Sequence, residues 1–356
     1  MLLFNYAFYI LILVVVIQIL NNKNSFQMVI FGSLLSLFVS FQYIFFNAPD
    51  VAITEASIGV CLNTIFALKF LNYSNSQDLI ESGSQSKNFY EKNKFLKFAP
   101  YVFLIFFLGV FFVLSNQEQN ALSIFGNHNN IIYNDYIKEY ISHSEHNLKI
   151  KNIVTAVLAY FRGYDTLIES LVILTAGIGV SLILPVSKIQ KNEIKSEKMS
   201  KSYIIYHMAF FFIPFIILFA FYLQAHGEES PGGGFQAGAV LTCAFILYAL
   251  TISEDLLLYL FSIKNLLRVG AFGCLIYLFV GIFPILASPF LKNFFNQDNL
   301  FLNYNYLFCL SKNNILDNSC HFRSQKLGIF LVEIGVGICV FATTFSLFLN
   351  LKYKKE

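Results

Sequence analysis

Long apolar stretches separated by short polar connections dominate this chain. Nine of them cover approximately 2–20, 26–46, 51–71, 96–115, 166–186, 203–225, 231–252, 266–287 and 327–350. A helix needs roughly 20 apolar residues to cross the hydrocarbon core of a bilayer. The stretches are continuously apolar, whereas strands of a membrane barrel alternate. The pattern therefore predicts an all-α, polytopic integral membrane protein with about nine transmembrane helices.

Composition and charge placement support this interpretation. The chain is 56% hydrophobic and 13% charged, about half the charged fraction of a soluble domain. Lysines cluster after the third, fifth and ninth stretches, at Lys87, Lys92, Lys94 and Lys97, at Lys188, Lys191, Lys195, Lys198 and Lys201, and at Lys352, Lys354 and Lys355. Lysine-rich connections usually stay in the cytoplasm. The N-terminus is then predicted outside and the C-terminus inside, with the first stretch retained as a span rather than cleaved as a signal peptide.

The remaining segments have other predicted roles. Residues 151–162 and 254–266 are bounded by charges and are predicted to lie along the membrane surface. Residues 116–150 and 288–325 are predicted external loops. Cys309 and Cys320 share the second loop, where they either form a disulfide or remain free thiols. No cysteine spacing matches a zinc, haem or iron–sulfur site, so no metal or cofactor is predicted, and no nucleic-acid surface or enzymatic nucleophile is apparent.

Carboxylates inside the apolar stretches are the most informative polar residues. Glu55 lies within Asn47-Ala-Pro-Asp-Val-Ala-Ile-Thr-Glu-Ala56, and Glu169 and Glu333 occupy similar early positions in later stretches. An acid deep in a bilayer costs about 2.5–3.5 kcal/mol, so it usually faces protein or water and often marks an ion path. The three stretches are predicted to run from outside to inside, which places these acids in the outer part of the membrane. Glu55 is too deep to cap its helix and is interpreted as protonatable or ion-contacting.

The other acids have structural alternatives. Glu169 completes a capping box with Thr166, and this role is compatible with an ion or proton role. Asp50, beside Pro49, suits the positive end of a helix dipole. Glu333 is followed by small residues that favour close helix packing, and either packing or an ion path explains it.

Further charged groups lie at the predicted outer mouths of the spans. Asp165, Glu228 and Glu229 would attract a cation from the external phase. Arg162 is predicted to pair with Asp165 or with a carboxylate of another subunit, or to be a plain interfacial arginine. His226, near the outer end of its span, is a candidate proton carrier.

A glycine-rich string, Ser230-Pro-Gly-Gly-Gly-Phe-Gln-Ala-Gly238, lies at the start of the seventh span. It lacks the Lys-Ser/Thr ending of a phosphate-binding loop. Serine at the N-cap and proline at the first helical position predict a helix start. The glycines allow close backbone approach or line a hydrated cavity. The residues assigned to helix-start packing are Pro231, Gly232, Gly233, Gly234 and Gly238.

Three strings together resemble the Mrp-type multisubunit Na+/H+ antiporters. Residues 48–56 are similar to a segment related to the C-terminal part of the large A subunit, and residues 161–169 resemble the next segment. Residues 226–236 resemble the MnhB-like signature of the B subunit, which continues at 333–337. The resemblance covers nearly the whole chain, in the expected order. One departure is Ile168, where the family usually has a small residue.

The resemblance implies three fused modules. The first module has three spans and is like the C-terminal part of the A subunit (1–73), the second has two spans and a lateral helix (96–190), and the third is MnhB-like and has four spans (203–356). A cytoplasmic connector (74–95) and a cytoplasmic linker (191–202) join them. It implies a non-enzymatic subunit in a bacterial inner (plasma) membrane, in contact with lipid, Na+, H+ and other antiporter subunits, including large proton-pumping ones. Glu55, Asp165 and Glu169 carry over as ion-path candidates.

Three rival interpretations remain. Membrane-bound hydrogenases and other complex I-like assemblies share similar modules, so the chain is alternatively a membrane-arm subunit of a redox-driven ion pump. An inert structural scaffold is the second alternative. A self-sufficient secondary transporter is the third, although the chain shows no clear internal symmetry.

Overall fold

The computed structural model describes residues 2–22, 24–78, 138–144, 150–184, 203–252, 257, 260–287 and 318–351. All regular structure in these ranges is helical, which confirms the predicted fold class. The helices are α1 (Leu2–Asn21), α2 (Ser25–Phe45), α3 (Pro49–Glu55), α4 (Asn63–Asp78), α5 (Lys138–His143), α6 (Ile153–Ala156), α7 (Gly163–Ile183), α8 (Tyr203–Ala225), α9 (Gly234–Thr251), α10 (Ile263–Ala287) and α11 (Asn318–Asn350). A π-helical segment, Ala56–Leu62, joins α3 to α4, and another, Val157–Phe161, follows α6.

Seven helical stretches of the described chain are long and apolar enough to cross a membrane. They are Ser25–Phe45, Pro49–Leu71, Gly163–Ile183, Tyr203–Ala225, Gly234–Thr251, Ile263–Gly281 and Lys326–Asn350, and a shorter apolar helix covers Phe8–Asn21. Eight of the nine predicted spans thus coincide with helices. The ninth, 96–115, lies outside the described residues. The chain is a multi-pass membrane protein.

Some boundaries differ from the predictions. Helix α11 begins at Asn318, so residues 318–325 are helical rather than part of an external loop. The segment predicted to lie along the surface at 254–266 ends inside α10, which begins at Ile263. Cys309 lies outside the described residues, so the disulfide with Cys320 stays a prediction. The sidedness of the membrane also stays a prediction.

Four helical stretches run in the same direction, because the contacts between them advance along both partners together. The facing pairs are Asp50–Gly232 and Ser57–Cys243 between α3 with its π-segment and α9, Gly234–Glu333 and Thr242–Thr344 between α9 and α11, and Ser170–Cys339 and Gly177–Thr343 between α7 and α11. These stretches are the third, fifth, seventh and ninth predicted spans. Their starts therefore share one side of the bundle, as the sequence pattern predicts.

Helix α11 forms the centre of the bundle. It packs against α7, α9 and α10 and carries fully buried side chains, including Phe345 and Phe348. Helix α8 lies at the periphery and exposes a broad apolar face, which includes Phe210, Phe215 and Phe221. An apolar face of this kind is stable only against lipid or another protein.

Candidate functional site

Asp50 lies at the centre of a buried network that joins three parts of the chain. Its side chain is 6% exposed, and its Oδ1 accepts hydrogen bonds from the backbone N–H of Gly232 at 2.8 Å and from Nδ2 of Asn152 at 3.1 Å. The same Asn152 nitrogen lies 3.1 Å from the carbonyl oxygens of Gly227 and Ser230. We call these five residues the polar junction. They connect the starts of α3, α6 and α9.

Asn152 is a site residue that the sequence analysis missed. Its Oδ1 accepts from the backbone N–H groups of Val154 and Thr155, so it is the N-cap of α6. Its own N–H donates to the carbonyl oxygen of Glu228 at 3.1 Å. An asparagine before an apolar helical run is a recognisable N-cap signal. Its contacts with α3 and with the turn before α9 become visible only in the folded chain.

Glu333 lies next to the polar junction. Its side chain is 7% exposed, and its Oε2 atom is buried without a hydrogen-bond partner among the described residues. A Cβ atom added to Gly227 would approach Oε2 within 2.8 Å, and one added to Gly233 would lie 3.6 Å from Oε1. The Thr155 hydroxyl, another polar neighbour, donates to the Gly227 carbonyl at 2.8 Å. The carboxyl group therefore faces backbone that only glycine leaves accessible.

The glycine-rich string starts α9 later than predicted. The helix begins at Gly234, and its N-cap is Gly233. Gly233 has a φ of 138°, which residues other than glycine rarely adopt. The prediction of Ser230 as N-cap and Pro231 as first helical residue is therefore wrong. The amide of Gly232 binds Asp50 instead of turning into the helix.

The predicted small-residue face is present. Gly234 packs against the backbone at Glu333 and Gly337, and Gly238 packs against the carbonyl of Gly337 and against Val340. Close contact between α9 and α11 explains why both positions lack a side chain.

The turn between α8 and α9 carries further acids. Burial raises the pKa of Glu228 to about 7, Lys326 opposes this shift, and the negative charge of Glu229 adds to it. His226 is exposed, and its ring stacks on Tyr222 with the centroids 4.6 Å apart. The His226 side chain therefore lies outside the buried network.

The acids of α7 lie on its surface. Arg162 pairs with Asp165, with 2.6 Å between Nε and Oδ2, and both side chains are exposed, as is Glu169. Thr166 is the fourth residue of α7, and its hydroxyl donates to the carbonyl of Leu158 at 3.0 Å. The predicted capping box with Glu169 is therefore not formed. The predicted Arg162–Asp165 pair is present.

Glu55 is the last residue of α3 and directly precedes the π-helical segment. Its half-buried carboxyl and the Ser36 hydroxyl converge over Gly59, where an added Cβ would come within 2.6 Å of Oε1 of Glu55 and 2.7 Å of Oγ of Ser36. Single π-helical turns inside α-helices are frequent at functional sites. Ser36 and Gly59 are thus two more site residues that the sequence analysis missed.

A pocket of about 400 Å³ lies between α2 and α4. Its lining combines small polar and apolar residues, namely Ser25, Met28, Val29, Gly32, Ser33, Asn63, Thr64, Ala67 and Leu71. Ser33 lies about one helical turn before Ser36, and Asn63 about one turn after Gly59. The pocket therefore begins about one helical turn beyond the residues that contact Glu55 and extends toward the opposite side of the bundle from Asp50.

The structure thus separates the predicted site residues into three groups. Asp50, Glu333 and the helix-start glycines come together, Glu55 lies beside the polar pocket, and Arg162, Asp165, Glu169 and His226 are exposed. Among the described residues, no group of three or more histidine, cysteine or acidic side chains is placed to hold a metal ion.

Asp50→Ala is expected to destabilise the protein. It leaves the Gly232 amide and the Asn152 side chain without their acceptor, and each unpaired buried group costs about 1–3 kcal/mol. Asp165→Ala, which removes an exposed carboxylate, is the matched control. Thermal unfolding of the purified protein should show a lower midpoint for Asp50→Ala alone, and equal midpoints would contradict this role of Asp50.

Comparisons with known proteins agree with this architecture. Residues 204–346 match the family model described as a domain related to the MnhB subunit of Na+/H+ antiporter, and residues 10–75 match the MbhD model, which describes the D subunit of MBH. The chain is thus an all-helical, multi-pass membrane protein with one segment that matches the MbhD model and another that matches the MnhB-related model. The predicted resemblance to Mrp-type antiporter components is confirmed.

Among the relatives of this chain are A1 subunits of Na(+)/H(+) antiporters. The chain is 26% identical over 196 residues to the A1 subunit of the Na(+)/H(+) antiporter of Staphylococcus haemolyticus, and 27% identical over 198 residues to the A1 subunit from Staphylococcus aureus. Each alignment covers 55% of this chain and 22% of the relative, so the chain spans about a fifth of the curated relatives it matches. The solved Mrp complex from Dietzia sp. DQ12-45-1b shares the fold, with a TM-score of 0.59 and 19% identity over 96% of this chain and 34% of that chain.

Proposed function

We propose that this chain is a subunit of a multisubunit monovalent cation (Na+)/proton antiporter in a bacterial plasma membrane. It is a transport subunit rather than an enzyme. The MnhB-related domain and the similarity to the A1 subunits of antiporters support this proposal. Its proposed partners are other antiporter subunits, including large proton-pumping ones.

The observation that carries the proposal is the setting of Glu55. Its carboxyl lies inside a membrane span, at an α-to-π transition and beside the Ser36 hydroxyl, and the pocket between α2 and α4 begins about one helical turn away. A carboxylate at this depth is retained at a cost of a few kcal/mol and usually serves an ion or proton path. Glu55 alternately binds and releases a proton in this mechanism, and the pocket connects it toward the predicted cytoplasmic side.

The exposed acids of α7 support assembly with other subunits. Asp165 and Glu169 lie on the surface of a membrane span, where contact with lipid would be unfavourable for a charge. Arg162 compensates Asp165 within the chain, whereas Glu169 needs a polar neighbour from outside it. This face of α7 is therefore a docking surface that continues the ion path into a neighbouring subunit.

Reconstitution tests the proposed function. The native complex is purified through a tag on this chain, its members are identified, and it is inserted into vesicles that contain a pH-sensitive dye. A Na+ gradient should then drive proton movement, and vesicles with this chain alone should show none. Exchange by the isolated chain would instead establish a self-sufficient transporter.

A redox-driven ion pump is the second candidate. The match of residues 10–75 to the MbhD model favours it. Co-purification with iron–sulfur or hydrogenase subunits would support this candidate and contradict the antiporter, and co-purification with antiporter subunits alone would reject it.

A further inference from the structure

Glu333 has an unusual electrostatic setting. Its Oε2 atom is buried, accepts no hydrogen bond from the described residues, and faces the Gly227 backbone. Its charged neighbours are Asp50 and Glu228, both acidic. The Thr155 hydroxyl is a hydrogen-bonding neighbour of the carboxyl group, but none of its charged neighbours is a cation. A buried ionised carboxylate with an unpaired oxygen and no cation is destabilised, and such groups normally bind a proton instead.

Asp50 provides the contrast within the same site. Its Oδ1 atom accepts from two donors, the Gly232 amide and Asn152, whereas Oε2 of Glu333 has none among the residues that the structure describes. Hydrogen-bond donors stabilise a carboxylate, whereas a second negative charge nearby disfavours one.

An acceptor for a proton on Glu333 is present. A Cβ on Gly233 would lie 3.2 Å from Oε1 of Gln236 and 3.6 Å from Oε1 of Glu333, so the amide oxygen and the carboxyl converge on the same glycine. The Gly227 carbonyl, by contrast, already accepts from Asn152 and Thr155. A protonated carboxyl turns Oε2 from an unpaired acceptor into a donor, for which the Gln236 amide oxygen is the neighbouring acceptor.

We propose that Glu333 is a proton-binding site, a neutral carboxylic acid that exchanges its proton through the polar junction. Glu333 lies near Asp50, at the start of α3, whereas Glu55 is the last residue of that helix. Its role in transport rests on the proposed function, whereas the protonation of Glu333 is independent of it.

The elements that pack near Glu333 carry several titratable groups. They are Asp50 from α3, Glu228 and the exposed Glu229 and His226 from the turn between α8 and α9, Lys326 from α11, Tyr277 from α10, and the exposed Asp165 and Glu169 from α7. Tyr277 donates its hydroxyl proton to the carbonyl of Gly163, and Lys326 acts on Glu228. No described cation therefore directly compensates Glu333.

Infrared difference spectroscopy of the purified complex tests the proposal without requiring transport. Protonated carboxylic acids have a carbonyl stretching band that ionised carboxylates lack. Spectra are recorded over a pH series for the wild type, Glu333→Gln, Glu333→Asp and the matched control Glu229→Gln. The wild type should show an acid band that disappears at high pH. Glu333→Gln should lose this band, Glu333→Asp should shift it, and Glu229→Gln should keep it.

The outcomes separate this proposal from the function. Glu55→Gln should keep the Glu333 band even when exchange is lost, so failure of the antiporter assay leaves the spectroscopic test valid. Identical spectra for the wild type and both Glu333 variants would overturn the proposal. A Glu333 band that stays constant over the whole pH series would also overturn it, because the residue would then be an inert buried acid. If Glu333→Gln does not assemble, the band shift of Glu333→Asp decides the question.

Discussion

Glu55→Gln is expected to reduce Na+-driven proton exchange by the reconstituted complex to the level of empty vesicles. Glutamine keeps the size of the side chain and its polar contacts near Ser36 and Gly59, but it does not bind and release a proton. The loss should therefore affect turnover without affecting assembly. Dye-reported pH changes in vesicles measure the exchange, and subunit stoichiometry after purification measures the assembly.

The control for this substitution is Glu229→Gln. Glu229 is an exposed acid in the turn between α8 and α9, and its replacement removes the same charge at a distance from the polar pocket. It should retain most of the exchange. If Glu55→Gln exchanged ions at the wild-type rate, Glu55 would not be part of the ion path, and the interpretation of the chain as an inert structural scaffold would be favoured.

Gly234→Ala is expected to prevent normal packing of α9 on α11. The added methyl group would overlap the carbonyl group of Glu333 and come within 3.0 Å of the Gly337 nitrogen. Both obstacles are backbone atoms of a central helix, so neither moves without shifting α11. Overpacking of side chains typically reduces stability by about 1–3 kcal/mol. Because the obstacle here is backbone, the expected loss of stability is at or above the upper end of this range.

Gly179→Ala is the matched control, because an added Cβ there meets nothing within 4 Å. Alanine is a better helix former than glycine by about 1 kcal/mol, so this variant should be at least as stable as the wild type. Size-exclusion profiles and thermal unfolding in detergent compare the two. Equal stability of both variants would show that α9 and α11 tolerate separation at Gly234.

The helices and their shared direction were predictable because their signals are local and repeated. Apolar length defines each span, and lysine clusters on successive connections define which spans run together. The same logic placed Asp50, Glu55 and Glu333 in spans of one direction. Parallel starts of α3 and α9 are what allow Asp50 to reach the Gly232 amide.

Two failed predictions share a cause, since each relied on a local capping motif whose groups bond elsewhere in the folded chain. Ser230 and Pro231 form a good helix start in isolation, but the Gly232 amide bonds to Asp50, 182 residues away in sequence. Thr166 has the spacing of a capping box, but its hydroxyl donates to Leu158 in the preceding segment. Neither partner is part of the capping motif that predicted the helix start.

The π-helical segments and the contacts of Asn152 were unpredictable for a similar reason. A π-turn depends on how the helix fits its neighbours, and the residues of Ala56–Leu62 are equally suited to an α-helix. Asn152 carried an N-cap signal, but its Nδ2 contacts with Asp50, Gly227 and Ser230 depend on three chain segments meeting.

The polar junction has a consequence for how the complex is built. Its hydrogen bonds link residues from all three predicted modules, and none of them requires that the modules be covalently joined. Separate polypeptides with the same surfaces would make the same contacts, only at a lower effective concentration. A single polypeptide therefore guarantees equal copy numbers and rapid association of the three predicted modules, and cutting the chain between them should yield fragments that reassemble when co-expressed.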